Sequence, residues 1–352
     1  MPVEESVTLM DVARAAGISK ATASRALSGN GAVSSSVRQA VKDAAERLGF
    51  EVNPYAQRLS TGMARNVVGL FALTLDYMTW QSMSHLHYEL ASRGYEAPLY
   101  TYGYSQEDWP DYRPLLSTLS RQQPQGIICN TFKLLPEAAE LLRQYQQKGG
   151  TLVCMHTPHD IPCDQILLDR EASLRLAIRH LLEAGHQKIG LCGFVTRDLV
   201  KSLIPIFHQE LENYGVDPSL SCLIDTNTNT KDGIYMVTDE VRGAALAEKF
   251  CQLKNRPTAL CVINDIIATT FVHQILLAGF QVPEDVSVIA IDGMPVSLYG
   301  MVKITTVAQP RYEMAAKAVE FLLQRLDGTY RGEPRKLVYT GEVIARDSVR
   351  KI

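Results

Sequence analysis

The stretch Thr8-Leu-Met-Asp-Val-Ala-Arg-Ala-Ala-Gly-Ile-Ser-Lys-Ala-Thr-Ala-Ser-Arg-Ala-Leu-Ser28 decides the fold of the first fifty residues. It predicts a helix that opens with a capping box at Thr8 and continues with apolar residues at helical spacing until Gly17. Ser19 is placed to cap a second helix, which starts at Lys20. Two short helices that meet at a tight turn, with small residues where they cross, are typical of a helix-turn-helix.

The start of the second helix carries the chemistry of this motif. Lys20, Ala21 and Arg25 fall on one side of it. Lysine and arginine suit guanine O6 and N7, and an alanine methyl suits the methyl group of thymine. Short donors suited to phosphate oxygens lie beside them: Ser19, Thr22 and Ser24. Spacing alone is also compatible with a capped helical hairpin that binds no DNA.

The residues up to Gly62 extend the head of the chain. Ser34 is expected to cap a third helix that ends near Leu48 and Gly49, which completes a module of three helices. Pro54 and Gly62 delimit a fourth helix of one or two turns, which is marginal in water without a partner.

Charge is distributed unevenly along the chain. The net charge is −3, yet the segment from Ala13 to Arg65 contains eight basic and three acidic residues. A basic head on an acidic body suits a protein that holds DNA with one end, although a solvated basic helix face explains the same numbers.

Composition indicates a folded protein of two or three domains, with 352 residues, of which 46% are apolar and 21% charged. The seven cysteines are scattered and form no CxxC pair, so we expect buried thiols rather than disulfides or a zinc site. We find neither a signal peptide nor an apolar run of about 18 residues, so we expect a cytoplasmic protein without a membrane span.

From Val67 onward, short apolar runs alternate with longer amphipathic stretches. This alternation predicts parallel sheets covered by helices, and roughly ten strands favour two doubly wound lobes over one sheet. The loop from His156 to Cys163 is expected to cross between the lobes. A ligand site is expected in the cleft at the strand ends.

The chain resembles the lactose-repressor/galactose-repressor (LacI/GalR) family along nearly its whole length. In the head, the resemblance rests on Thr8–Ser28, Val33-Ser34, Leu48-Gly49-Phe50, Asn53-Pro54, Ala56 and Arg58–Gly62. In the body, it rests on Leu181–His186 with Ile189-Gly190, Asn264-Asp265, Val282–Asp292 and Ile304–Pro310.

The resemblance implies a homodimer, possibly a tetramer, whose two heads read a near-palindromic DNA operator. It implies that the fourth helix folds on specific DNA, with Asn53 and Ala56 at the DNA, and that Leu59 enters the minor groove. Packing of Leu59 on the body is the alternative.

The resemblance also implies a small-molecule effector, sugar-like in class, bound between the lobes. Asn264 and Asp292 match positions that contact effector hydroxyls, and Gln309 matches a crossover residue near the ligand. Asp76 is a ligand contact or a cap, and Asp265 is expected to cap the helix that follows it.

One departure from the family concerns a position where many members carry arginine and this chain has Leu203. The nearest cations are Arg197 and Lys201, so either the site is rebuilt or these residues offer the charge instead. Aromatic side chains near predicted loops are expected to stack on a sugar ring or to pack in the core: Tyr77, Trp80, Tyr102 and Trp109.

These inferences give an all-α helix-turn-helix head and an α/β body of two doubly wound, periplasmic-binding-protein-like lobes. The expected ranges are 1–52 for the head, 53–65 for the hinge helix, 66–158 with 293–323 for the first lobe, and 159–292 with 324–352 for the second. We expect a sequence-specific transcriptional repressor whose operator affinity is controlled by the small molecule, with no cofactor and no metal. A solute receptor and an α/β enzyme are the alternatives, but the chain lacks a signal peptide and the common catalytic motifs.

Overall fold

The computed structural model divides the chain into two compact units. One comprises Met1–Val67 with Gln122–Gln125, and the other comprises Val68–Arg121 with Gly126–Ile352. The residues that the structure describes are 7–28, 33–50, 64–72, 77–101, 113–131, 134–156, 158–193, 198–226 and 238–352.

The described part of the first unit contains three helices, which confirms the helix-turn-helix head predicted from the sequence. They are α1 (Leu9–Ala15), α2 (Lys20–Ser28) and α3 (Ser35–Leu48). The capping box is present, because Asp11 N donates to Thr8 Oγ1 at 3.4 Å and Thr8 N donates to Asp11 Oδ2 at 3.0 Å. Gly17 and Gly49, both at positive φ, follow the ends of α1 and α3. The buried core consists of small side chains: Val12, Ala13, Ala23, Ala26, Val41, Ala44 and Ala45.

The body contains two six-stranded sheets, and each defines one lobe. The first sheet has the order β11-β5-β4-β3-β1-β2 and the second has the order β12-β10-β9-β8-β6-β7. The pairings described are parallel, except that β12 runs antiparallel to β10. The strands are β1 (Ala64–Ala72), β2 (Leu99–Thr101), β3 (Pro124–Thr131), β4 (Thr151–His156), β5 (Asp164–Leu168), β6 (Ile189–Gly193), β7 (Cys222–Asp225), β8 (Ala259–Ile263), β9 (Ser287–Asp292), β10 (Thr305–Ala308), β11 (Lys336–Tyr339) and β12 (Glu342–Ile344).

Helices cover both faces of each sheet, as the alternation of strands and helices predicts. The body helices are α4 (Tyr77–Ala91), α5 (Arg113–Gln122), α6 (Pro136–Gln147), α7 (Arg170–Glu183), α8 (Asp198–Asn213), α9 (Asp239–Gln252), α10 (Asp265–Leu277) and α11 (Arg311–Leu326). In the first lobe, α4 and α11 share a buried core with one face of the sheet. A Cβ on Gly69 of β1 would overlap Leu119 of α5, so α5 approaches the other face closely.

The second lobe has a buried core on each face of its sheet. One core joins the sheet to α9 and α10 through Leu246, Phe250 and Phe271. The other joins it to α7 and α8, and there Leu174 packs with Phe207. Two apolar faces explain why β8 and β9 consist almost entirely of buried residues.

The structure corrects the lobe boundaries expected from the sequence. Strand β5 pairs with β4, so residues 164–168 belong to the first lobe rather than the second. Strand β10 pairs with β9 in the second lobe, although 293–323 was assigned to the first. Strand β11 pairs with β5, so the end of α11 and the segment up to Tyr339 lie with the first sheet.

The loop between β4 and β5 does not cross between lobes, so that prediction was wrong. Its two flanking strands are neighbours in the same sheet. Within the described chain, the connections between sheets instead follow β5, β10 and β11. Hydrophobic patterning locates strands but leaves their pairing partners open, which explains the error.

The seven cysteines are free thiols, five of them buried and two half-buried, as their scattered positions predict. No helix in the described part of the chain is long and apolar enough to cross a membrane.

A buried carboxylate connects three segments of the first lobe. The Asp164 side chain is inaccessible to solvent and pairs with Arg325 at 2.8 Å and Arg335 at 2.6 Å. Arg335 N also donates to Asp164 Oδ1 at 2.8 Å. Burial raises the pKa of Asp164, but the hydrogen bonds from the two arginines outweigh this and hold that pKa below its usual range.

We predict that Asp164→Ala lowers the free energy of unfolding by about 3 kcal/mol, because it leaves two arginines without their carboxylate. The depressed pKa contributes stability at pH values above the unfolded value of about 3.9 and loses it as the pH falls through the folded value. The difference between wild type and variant is therefore constant above about pH 5 and shrinks below about pH 4 in urea titrations. The control is Asp160→Ala, which removes an exposed carboxylate 3.9 Å from Arg143 and changes stability by less than about 0.5 kcal/mol. Equal losses for both variants contradict this assignment.

Candidate functional site

The first residues of α2 form an exposed polar surface. Lys20, Ala21 and Arg25 are exposed, whereas Ala23 and Ala26, on the opposite side of the helix, are buried. The α-helical repeat therefore separates a face that holds the head together from a face that is available to a partner.

The serine and threonine at this surface also build the helix. Ser19 Oγ accepts from Thr22 N at 3.1 Å, and the two hydroxyl oxygens are 2.9 Å apart. Ser19 thus caps α2, as predicted, and its position is fixed relative to the helix start. Ser24 is half-buried.

Arg25 lies along the exposed face, with Nε donating to Ala21 O at 3.2 Å. From Val7 to Phe50 the head carries six basic and three acidic residues, a net charge of +3. The surface around Lys20 and Arg25 therefore attracts anions.

Asn264, at the end of β8, is a helix cap. Its Oδ1 accepts from Ile266 N at 3.0 Å and from Ile267 N at 3.4 Å, and its Nδ2 donates to Asp239 at 2.8 Å. The expectation that Asp265 caps this helix is therefore wrong, because Asn264 occupies the residue before the first helical turn. The Asp265 side chain is instead fully buried.

Asp292 and Gln309, which the sequence assigns to one site, are in direct contact. Gln309 Nε2 donates to Asp292 Oδ1, and Gln309 N donates to Asp292 O at 3.3 Å. Asp292 ends β9 with a φ of 127°, which is rare for a residue other than glycine. Backbone strain of this kind is typical of functional positions.

A third residue of this cluster, Arg311, escaped the sequence analysis. It is the first residue of α11, is buried, and places Nη2 3.7 Å from Asp292 Oδ1. The sequence did contain a signal for Arg311, because this residue directly follows the family-like block Ile304–Pro310. Only the fold, however, shows where its side chain lies.

His156, at the carboxyl end of β4, belongs to the same region. Burial, followed by the positive charges of Arg170 and Arg311, lowers the pKa of His156 to about 3. The imidazole is therefore neutral at physiological pH. His156 and Arg170 were also missed, because their closeness depends on the ends of β4 and β5 meeting at one edge of the sheet.

The remaining predicted effector residues are not placed by the structure. Lys201 lies in α8, in the part whose side chains are not described, and Asp76 and Arg197 lie outside the described residues. Asn53, Ala56 and Leu59 of the predicted hinge helix also lie outside them, as do Tyr102 and Trp109.

Leu203 contributes to the core rather than to a polar site. Its side chain is 6% exposed and packs with Phe207 and Leu211 against the second sheet. Tyr77 and Trp80 at the start of α4 are exposed. Among the described residues, no cluster of histidine, cysteine or acidic side chains has a geometry that fits a metal ion.

Two family models match separate parts of the chain, one in the head and one in the body. Residues 8–53 match the model "Bacterial regulatory proteins, lacI family". Residues 178–349 match the model "Periplasmic binding protein-like domain".

Individual proteins match over most or nearly all of the chain. The HTH-type transcriptional repressor PurR of Aliivibrio salmonicida (strain LFI1238) is 28% identical, covering 98% of this chain and 99% of the relative. A solved structure of the lac repressor dimer bound to operator and the anti-inducer ONPF has a TM-score of 0.76 at 22% identity, covering 98% of this chain and 99% of that one. A LacI family regulator from Enterococcus faecium with bound ribose has a TM-score of 0.66 at 21% identity, covering 81% and 99%.

Proposed function

We propose that this chain, which belongs to the lacI family of bacterial regulatory proteins and is a DNA-binding transcriptional regulator, acts as a cytoplasmic repressor. Its helix α2 reads a DNA operator. A small molecule bound between the two lobes sets the affinity for that operator. The observation that carries the proposal is the exposed basic face at the start of α2. Its relatives are transcriptional regulators, which argues against the solute-receptor and enzyme alternatives.

The proposed DNA contacts follow from the two kinds of side chain on α2. Lys20, Ala21 and Arg25 are exposed and face the base edges of the major groove. Ser19, Thr22 and Ser24 contact phosphates, which fix the register of the helix but carry no sequence information. Asn53 and Ala56 extend these contacts, and Leu59 enters the minor groove.

The proposal includes a homodimer, because two heads related by a two-fold axis match a near-palindromic operator. The second lobe offers a surface for the partner copy. Leu277, Tyr299 and Met301 are 72%, 77% and 92% exposed, and the last two border a groove of about 260 Å³ on α10. Large apolar side chains exposed together, as Tyr299 and Met301 are at this groove, are typical of interaction surfaces. A tetramer is the less supported alternative.

The head is tested by substitution on duplexes that the wild-type protein enriches from a random-sequence pool. We expect Arg25→Ala and Lys20→Ala each to weaken binding by about 1–3 kcal/mol and to relax the base preference at one position of each half-site. The matched control is Lys148→Ala, an exposed lysine at the end of α6, which removes the same charge from the body. Fluorescence anisotropy measures all three affinities, and equal losses in all three variants argue against base reading by α2.

For the effector we propose a sugar or sugar derivative that donates hydroxyl hydrogen bonds to Asp292. A carboxylate at the end of a parallel strand is well placed to accept them. Asn264, whose Oδ1 is committed to the helix, retains one amide hydrogen for a ligand oxygen. Gln309 adds a further polar group, and Asp76, Arg197 and Lys201 complete the proposed set.

The effector site is tested by thermal unfolding against a panel of sugars and nucleosides. A ligand at one hundred times its Kd stabilises the wild-type protein by about 2.7 kcal/mol. We expect Asp292→Asn to lose this stabilisation, because the amide no longer offers two acceptor oxygens, whereas Glu284→Gln on the surface of the same lobe keeps it. A ligand that stabilises the wild type and Asp292→Asn equally excludes Asp292 from the site.

A further inference from the structure

Arg311 and Asp292 belong to different lobes. Arg311 opens α11, whose buried residues Met314, Ala318 and Leu322 pack in the core of the first lobe. Asp292 is the last residue of β9, in the middle of the second sheet. Their contact at 3.7 Å is therefore an ion pair between lobes, called here the inter-lobe ion pair.

Both members of this pair are nearly inaccessible to solvent. The side chains of Arg311 and Asp292 are 7% and 6% exposed. A buried ion pair contributes little net stability, but separating its members leaves uncompensated charges and costs far more. The inter-lobe ion pair therefore favours lobe positions that keep Arg311 beside Asp292.

Arg311 also acts on a second carboxyl group of the second lobe. Asp265 is fully buried there, and the positive charge of Arg311 opposes the rise of its pKa caused by burial. His156, on the first-lobe side, is neutral and supplies no competing charge. Arg311 thus interacts electrostatically with two carboxyl groups of the second lobe.

Asp292 Oδ1 already has two polar neighbours. It accepts from Gln309 and lies beside Arg311. A ligand hydroxyl that donates to this oxygen has to compete with both. Ligand binding at this oxygen and retention of the inter-lobe ion pair therefore oppose each other.

The residue after Arg311 extends the contact into the first lobe. Tyr312 Oη donates to Glu89 of α4 at 3.1 Å, and its ring packs edge-on against His85 of the same helix at 5.2 Å. A shift of the first turn of α11 therefore reaches α4 directly.

We propose that Arg311 is the residue through which effector binding at Asp292 changes the relation of the two lobes. The effector replaces Arg311 as the contact of the Asp292 carboxylate. Without the inter-lobe ion pair, the lobes shift to a second arrangement in which Arg311 and Asp292 are apart. This inference rests on the proposed function, because it assumes that Asp292 binds the effector and that the lobes control the operator affinity.

The test needs no effector, because removal of either charge breaks the pair. Operator Kd is measured for Arg311→Met, Asp292→Asn and the double variant, on duplexes enriched from a random pool by the wild-type protein. We expect each single variant to shift the Kd in the same direction by at least about fivefold, and the double variant to shift it no further.

The matched control is Arg325→Met, which breaks the ion pair with Asp164 inside the first lobe. We expect this variant to lower thermal stability but to leave the operator Kd within about twofold of the wild type, because both members of that ion pair lie in the first lobe. If Arg311→Met fails to fold, Arg311→Gln retains a polar side chain and serves in its place.

Single variants whose Kd stays within twofold of the wild type overturn the proposal, and so do shifts that multiply in the double variant. Either result leaves the proposed function standing, since the wild type still binds its operator. A wild-type protein that enriches no duplex refutes the proposed function and this inference together.

Discussion

Asp292 of the second lobe and Arg311 at the start of a first-lobe helix lie 3.7 Å apart and are almost fully buried. Little water reaches either charge there, so Asp292 depends on Arg311 and on the Gln309 side chain for its polar contacts. The pair lies beside the connection from β10 to α11, where the chain passes from one sheet to the other. The body is thus two well-packed cores joined by short connections, with a buried ion pair at the junction, where a small ligand can influence the relation of the lobes.

The head is stabilised differently from the body. Its core consists of valine and alanine side chains around three short helices, so it buries little apolar surface. Such a module is held by its caps as much as by its core, and the hydrogen bonds of Thr8, Ser19 and Ser34 are each found at a helix start. Small residues on the inner side of α2 also allow the helices to pack closely, which leaves Lys20 and Arg25 on the outside.

Features set by neighbouring residues could be predicted from the sequence. The three head helices, their caps and the glycines that follow them depend on contacts within four residues of the chain. The two α/β lobes followed from the alternation of strands and helices. The contact between Asp292 and Gln309 agreed with their assignment to one site.

Features set by long-range pairing could not be predicted. Which lobe contains β5 or β10 depends on hydrogen bonds to distant strands, and no periodicity encodes them. The choice between Asn264 and Asp265 as the helix cap depended on where β8 ends, to within one residue. Arg311 and His156 were identified as site residues only from the fold, which brings them close together. Neither residue belongs to a recognisable pattern in its own segment of sequence.

We propose that the exposed start of α2 enters a groove of duplex DNA. The most direct measurement places a photoreactive benzophenone side chain at Ala21 of the full-length protein and irradiates it with the enriched duplex. The account predicts cross-links from position 21 to bases within each half-site, and none from the same group placed at Lys148 of the body. No cross-link from position 21 under conditions where the protein binds the duplex, or equal cross-linking from both positions, contradicts it.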